Sequence, residues 1–258
     1  MTNYRLAASA EMLFRELDFV DRVKHIHSRG FEVEIWNWTT KNLDDLASTG
    51  AKFSSMTGYI EGDLLDDDGI AKLLETAELS LQASMIIDCP RLNVHGTGLD
   101  ENGQAIKQKT HTTAAEFDKA AQSLEKLAQL GAKYGKVFTL ENLNLPVDHP
   151  GTPFALARET LALIKKVDHP NLRLNLDLYH AQIGEGNLTE LVRECFDYIG
   201  EIQVADVPGR CEPGTGEINY KRVAKELVSL GYNGVVGLEG WASGDSDAAL
   251  DSFAEAFA

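Results

Sequence analysis

Apolar residues recur along this chain in two alternating rhythms. Short runs rich in aliphatic and β-branched residues occupy Arg5–Ser9, Phe31–Trp36, Lys52–Met56, Arg91–His95, Val137–Glu141, Leu172–Asp177, Glu201–Ala205 and Val235–Glu239. Each reads as a strand. Between them lie longer segments with helical spacing: Leu17–Arg29, Ile70–Ala83, Ala114–Tyr134, Phe154–Val167, Thr189–Tyr198, Tyr220–Leu230 and Asp245–Phe257. Gly30, Gly135 and Gly231 each follow a helical run, where a C-terminal glycine commonly ends a helix.

Strands that alternate with helices imply parallel pairing through crossovers. In a chain of 258 residues this points to a single α/β domain, 1–258, folded as a closed (β/α)₈ barrel. The rival is an open doubly wound sheet, which usually carries a Gly-rich phosphate turn after its first strand. Here Ala10–Glu11–Met12–Leu13–Phe14 follows instead, with no glycine.

Composition narrows the function classes. With 43% hydrophobic and 25% charged residues the chain reads as soluble and globular. No apolar run approaches the roughly 18 residues of a membrane span. Met1 to Ala10 lacks a charged region followed by an apolar core, so no secretory leader is expected. Cys89, Cys195 and Cys211 are odd in number and scattered, which predicts isolated structural thiols in a reducing cytoplasm. The net charge of −16 argues against a nucleic-acid partner. The expected partner is a small molecule, with no membrane; a homo-oligomer stays open. An anionic substrate would need a local cluster of positive charge. The acidic stretch Glu61 to Asp68 reads as solvated surface.

The chemistry lies at the ends of the last four strands. The fifth ends in Glu141–Asn142, the sixth in Asp177–Leu178–Tyr179–His180, the seventh in Gln203–Val204–Ala205–Asp206 and the eighth in Glu239–Gly240–Trp241. In a closed barrel these ends converge on one mouth. Unpaired charges there would cost several kcal/mol of desolvation each, of the order given for buried ions, and a divalent cation offsets that. Three carboxylates with an amide or imidazole form an oxygen-rich shell suited to Mg²⁺ or Mn²⁺.

Several segments resemble the hydroxypyruvate isomerase family within the xylose isomerase-like barrels. They are Ala8–Phe14, Glu141–Asn142, Asp177–Gly184, Gln203–Asp206, Arg210–Tyr220 and Tyr232–Glu239, with Glu212 to Tyr220 the most specific. The resemblance implies one divalent cation held by Glu141, Asp177, Gln203 and Glu239, with Glu141 and Glu239 also as the acid/base pair. It further implies that His180 and Arg210 contact substrate. For His180 a structural hydrogen bond is the alternative, and for Arg210 an ion pair with Glu212 or Asp206. Gly209 and Pro213–Gly216 supply turns that would fold the loop over the mouth. Glu217 either orders that loop against substrate or caps the next helix near Asn219.

The chain departs from the family at Trp36–Asn37–Trp38, at Asn93–His95 and over Gly58–Asp68. The tryptophans either stack on a sugar face or pack under helices. His95 is either a fifth polar contact or a satisfied wall histidine. The expected activity is an aldose–ketose type isomerisation of a small hydroxy-oxo acid. A ketose 3-epimerase with the same glutamates and metal is the alternative, against which Gln203 stands where a histidine ligand is expected. A nuclease for damaged DNA would need a basic groove, and a non-catalytic carbohydrate-binding protein would not turn Glu141 and Glu239 to one cation.

Overall fold

The computed structural model describes residues 4–258; Met1 to Asn3 of the expected 1–258 domain lie outside the described residues. Eight parallel strands close on themselves in sequence order: β1 (Arg5–Ser9), β2 (Glu32–Ile35), β3 (Phe53–Thr57), β4 (Arg91–Val94), β5 (Val137–Glu141), β6 (Leu172–Asp177), β7 (Ile199–Val204) and β8 (Val235–Leu238). Closure is explicit in the pairing of Ala7 with Gly237 across β1 and β8. The expected (β/α)₈ barrel is therefore found, with strand limits moved by a residue or two.

The helices follow their local signals. They are α1 (Phe19–Ser28), α2 (Leu43–Ser48), α3 (Asp67–Ile86), α4 (Ala114–Tyr134), α5 (Ala157–Val167), α6 (Leu178–Gly184), α7 (Leu188–Cys195), α8 (Tyr220–Leu230) and α9 (Ser246–Ala256). Thr113 and Glu116 form a reciprocal capping box at the start of α4, which satisfies two otherwise unpaired N–H groups. Asp66, Asn219 and Asp245 cap α3, α8 and α9 through their side chains. Among the described residues no helix is long and apolar enough to cross a membrane.

Three expectations are corrected. The helix predicted from Phe154 begins at Ala157, because Phe154 takes a left-handed backbone with φ of 54°, which no right-handed helix admits. Two short helices, α2 and α6, escaped the periodicity because six or seven residues hold too few turns to show it. Within Glu61–Asp68, Asp63 is buried rather than solvated: it accepts from Leu65 N at 2.8 Å and pairs with Lys107 at 2.8 Å.

The apolar core lies between the barrel wall and the helices. Phe138, Leu140, Leu172, Leu174, Leu176, Ile202, Val204, Val236 and Leu238 are fully buried outward-facing strand residues of that layer. The alternate positions face inward and are mostly polar, with Ala7, Val137 and Val235 among the apolar ones. Ser55 on β3 donates to Glu201 on β7 at 3.2 Å, and Asn175 on β6 donates to Asn93 on β4 at 3.3 Å. These bonds join strands that are not neighbours, so they cross the interior. The strands are thus not apolar runs with a polar end; a polar column fills the barrel from floor to mouth. Phe138, on the strand that carries Glu141, tests the outer layer. Phe138→Ala should lower stability by about 3–5 kcal/mol, seen as a fall in the urea midpoint with little change in slope.

Candidate active site

Residues from the ends of β2, β4, β5, β6, β7 and β8 meet at the C-terminal mouth. The most constrained loop follows β7. Asp206 gathers it, its carboxylate accepting from Val207 N, Ile218 N and Gly214 N at 2.8–3.0 Å. At Gly216 an added Cβ would sit 2.1 Å from Val207 O, so only glycine permits the return. Glu212 accepts from Ser243 N and Oγ, stapling this loop to the one after β8. Asp206 and Glu212, the rival partners considered for Arg210, are thereby occupied. Arg210 itself sits at φ of 53°, fixed by Arg210 N donating to Asp206 O and Arg210 O accepting from Trp241 N.

From that anchor the Arg210 side chain enters the mouth. Its Nη2 donates to Glu239 Oε2 at 2.5 Å and lies 3.8 Å from Asp177 Oδ2, and its guanidinium stacks over Tyr179. Burial opposes its charge, but the carboxylates of Glu239, Asp177 and Glu141 outweigh burial and hold it protonated. Trp36 Nε1 donates to the other oxygen of Glu239 at 2.7 Å. Trp38 instead donates to Ser80 on α3 at 3.0 Å. One tryptophan therefore lines the mouth and the other packs beneath a helix.

Glu141, at the tip of β5, is buried among donors. Asn93 Nδ2 and His95 Nε2 both reach its Oε2, the latter at 3.1 Å. Burial pushes its carboxyl up, but His95, Asn93 and Arg210 outweigh that and hold it below the usual carboxylate range. Glu239 behaves oppositely. Burial raises it to about 7, against the opposing pull of Arg210 and with the help of Glu141. Asp177 is also raised well above its ordinary value, first by burial. Fully ionised, three carboxylates with one guanidinium would carry a formal surplus of two negative charges at the mouth.

Asp177 serves two elements at once. It ends β6 and caps α6, its Oδ1 accepting from His180 N at 2.9 Å. Its Oδ2 is buried without a partner, and so is His180 Nε2. Glu141, Asp177 and His180 offer ligand atoms all within 4.8 Å of one another, a buried group that could hold a metal ion. Orphaned buried polar atoms of this kind call for a missing partner. Two surplus charges match a divalent cation, so the donor set fits one.

The protonation of His180 follows from its neighbour. Asn144 Oδ1 accepts from Val147 N and Asp148 N at 3.1 and 3.0 Å, so its Nδ2 faces His180 Nδ1 at 2.7 Å. Nδ1 must then accept. Burial, reinforced by Arg210, lowers the imidazole pKa well below normal, so the ring is neutral and its proton sits on Nε2. Nε2–H is a donor aimed at the mouth, suited to a substrate oxygen more than to a cation.

Of the other expected residues, Gln203 lies level with Asp177 in the β6–β7 register, its Oε1 accepting from Asn175 Nδ2 at 2.6 Å. His95 is held between Glu141 and the hydroxyl of Tyr59, 3.0 Å away, as a wall residue that also touches the site. Glu217 is exposed and accepts from Gln182 at 3.1 Å; the fold does not join it to the buried cluster, and Asn219 caps α8 instead. Asn144 and Glu34 were missed, and Asn93 and Asn175 stood within the strand-end segments without a role assigned to them. Their signal was present in the alternation Asn93–Val94–His95 and Asn175–Leu176–Asp177, which places each pair on one inward face.

Comparison with known proteins gives the family. Residues 16–257 match the family described as xylose isomerase-like TIM barrel, and the chain belongs to that family. It is 30% identical over 247 residues to the 2-oxo-tetronate isomerase of Pectobacterium atrosepticum, with 91% of each chain covered. The hydroxypyruvate isomerase of Escherichia coli is 30% identical over 247 residues, covering 91% of this chain and 92% of its own. These relatives mark the chain as an isomerase. Among solved structures, one described as an AP endonuclease, family 2, from Brucella melitensis superposes with a TM-score of 0.87 at 26% identity over 98% of both chains. The D-psicose 3-epimerase of Clostridium cellulolyticum superposes at 0.80 with 19% identity, over 98% of this chain and 99% of its own, which shows the shared fold.

The tautomer is directly measurable. In ¹⁵N spectra His180 should report a neutral ring protonated at Nε2 in the wild type. Asn144→Asp should place an acceptor opposite Nδ1 and move the ring toward Nδ1–H or imidazolium. An unchanged spectrum in that variant would overturn the assignment.

Proposed function

We propose that the chain is a divalent-cation-dependent isomerase of small hydroxy-oxo acids, with hydroxypyruvate to tartronate semialdehyde, or a 2-oxo-tetronate analogue, as the reaction. The observation that carries it is the pair of partnerless buried atoms, Asp177 Oδ2 and His180 Nε2, beside two glutamates whose proton affinities are pushed apart. The substrate class comes from the relatives' names together with Arg210, a buried guanidinium suited to a carboxylate.

Glu141, Asp177, Gln203 and Glu239 are assigned as the cation's ligands, and His180 as a donor to substrate oxygen. When bound, Mg²⁺ or Mn²⁺ would polarise the carbonyl and stabilise the enediolate as a Lewis acid. Glu141, kept ionised by His95 and Asn93, takes the proton from the hydroxyl-bearing carbon. Glu239, which holds a proton more readily, returns one to the neighbouring carbon. The hydroxyl proton is given up as the other oxygen gains one, so the product is an isomer with no net exchange of electrons with the protein. Groups of divergent pKa are what an acid/base pair requires.

A 3-epimerase would use the same glutamates and return the proton to the same carbon. Gln203, where an imidazole ligand is expected of it, stands against that reading. A nuclease is disfavoured by the net charge of −16, which opposes a phosphate backbone.

Glu141→Gln and Glu239→Gln should each fold and lose roughly 10²–10⁴-fold in rate, with the double variant far from additive. Isomerisation in D₂O should incorporate solvent deuterium. Near-normal turnover in either single variant would sink the two-glutamate mechanism. Arg210→Ala should raise KM sharply for a hydroxy-oxo acid and much less for a neutral ketose, and Arg210→Lys should recover only part, because an ammonium lacks the bidentate fork. If the protein prefers a neutral five- or six-carbon ketose and Arg210→Ala ignores substrate charge, the epimerase reading replaces this one.

A further inference from the structure

Below the mouth, Glu34 is a buried carboxyl that the mechanism does not use. It lies on β2, at 2% exposure, and reaches β7 across the barrel interior. Its Oε2 accepts from Gln203 Nε2 at 3.4 Å, while Gln203 Oε1 accepts from Asn175 at 2.6 Å. The amide is thus gripped at both ends. A carboxylate facing Nε2 disfavours the flipped amide, because an oxygen would then face an oxygen. With its nitrogen held toward Glu34 on β2, Gln203 keeps its oxygen on the side of β6, where Asn175 donates to it. An amide oxygen has two lone pairs, and Asn175 occupies one.

The barrel also makes room for Glu34. A Cβ on Gly237 would lie 2.0 Å from Glu34 Oε1, so the glycine of β8 exists where this carboxyl sits.

We propose that Glu34 is a positioning residue for cation binding: it locks the Gln203 amide so that oxygen, not nitrogen, is offered to the divalent ion. This rests on the metal reading above. Groups that orient a ligand in this way typically change metal affinity by about 10–100-fold when removed.

The test is Mn²⁺ binding to the full chain, followed by the loss of the free-ion electron paramagnetic resonance signal, with circular dichroism to confirm folding. Glu34→Asp keeps the charge and loses reach; Glu34→Gln keeps the reach and loses charge. Glu34→Asp and Gly237→Ala should weaken binding by roughly 10–100-fold, and so should Glu34→Gln, whose amide can donate as well as accept and no longer fixes the orientation of Gln203. In a Gln203→Ala background, neither Glu34 variant should add anything further. Wild-type affinity in Glu34→Asp or Glu34→Gln, or additive losses with Gln203→Ala, would each overturn the positioning role while leaving the metal reading intact. A wild-type chain that binds no Mn²⁺ would overturn both. If Gly237→Ala does not fold, the Glu34 pair decides.

Discussion

A closed barrel gives every strand one face that meets only the opposite strands, and what fills that face governs this molecule. Branched apolar side chains commonly dominate such interiors. Here Ser55, Glu201, Arg91, Asn93, Asn175, Gln203 and Glu34 take their place. Each polar group must then find a partner across the lumen, since buried polar atoms left alone cost about 1–3 kcal/mol. The Arg91–Glu201 pair at 2.9 Å, with Glu201 fully buried, anchors the lower end. Successive amides carry the network upward, leaving Arg91 Nη2, Glu34 Oε1 and Asn175 Oδ1 without partners on the way, and at the mouth Asp177 Oδ2 and His180 Nε2 stand without partners as well.

The electrostatics of the mouth follow from the same shortage. Glu141, Asp177 and Glu239 converge with one guanidinium among them. Protein alone resolves the excess with protons, which is why burial lifts Asp177 and Glu239. Glu141 escapes because Asn93 and His95 reach it first. The asymmetry between the two glutamates therefore comes from β4, whose inward positions supply both donors to Glu141, whereas the pull of Arg210 and Trp36 on Glu239 does not offset its burial. Neither glutamate is special in sequence; their neighbours make them different.

Much of this was legible. The rhythm of apolar runs marked all eight strands, and the polar strand ends named Glu141, Asp177, Gln203 and Glu239 before any coordinates. What was hidden has physical reasons. Asp177 works as strand end and as cap of α6 together, and a residue doing two tasks leaves no separate start signal for a helix of seven residues. Asn93 and Asn175 lie inside strands, where attention to the termini passes over them. Glu34 faces Gln203 over a sequence separation of 169 residues, and no local pattern carries such a distance. The two tryptophans, two positions apart in sequence, separated only when the turn after β2 sent Trp38 beneath α3.

The acidity of the whole chain and the anionic substrate proposed for it are compatible for a similar reason. At long range the net charge of −16 repels an acid, but charges farther than a Debye length, about 8 Å at physiological salt, are largely screened. What a carboxylate meets at the mouth is set by the few groups within that distance. There Arg210 is the buried positive charge, and its position is held by backbone: the Asp206 turn, the Glu212–Ser243 staple and the stack on Tyr179. A surface lysine would be too mobile to act at a fixed point. A guanidinium fixed on a strained, glycine-closed loop keeps its place, and together with the proposed divalent cation it would supply the local positive charge that an anionic substrate needs.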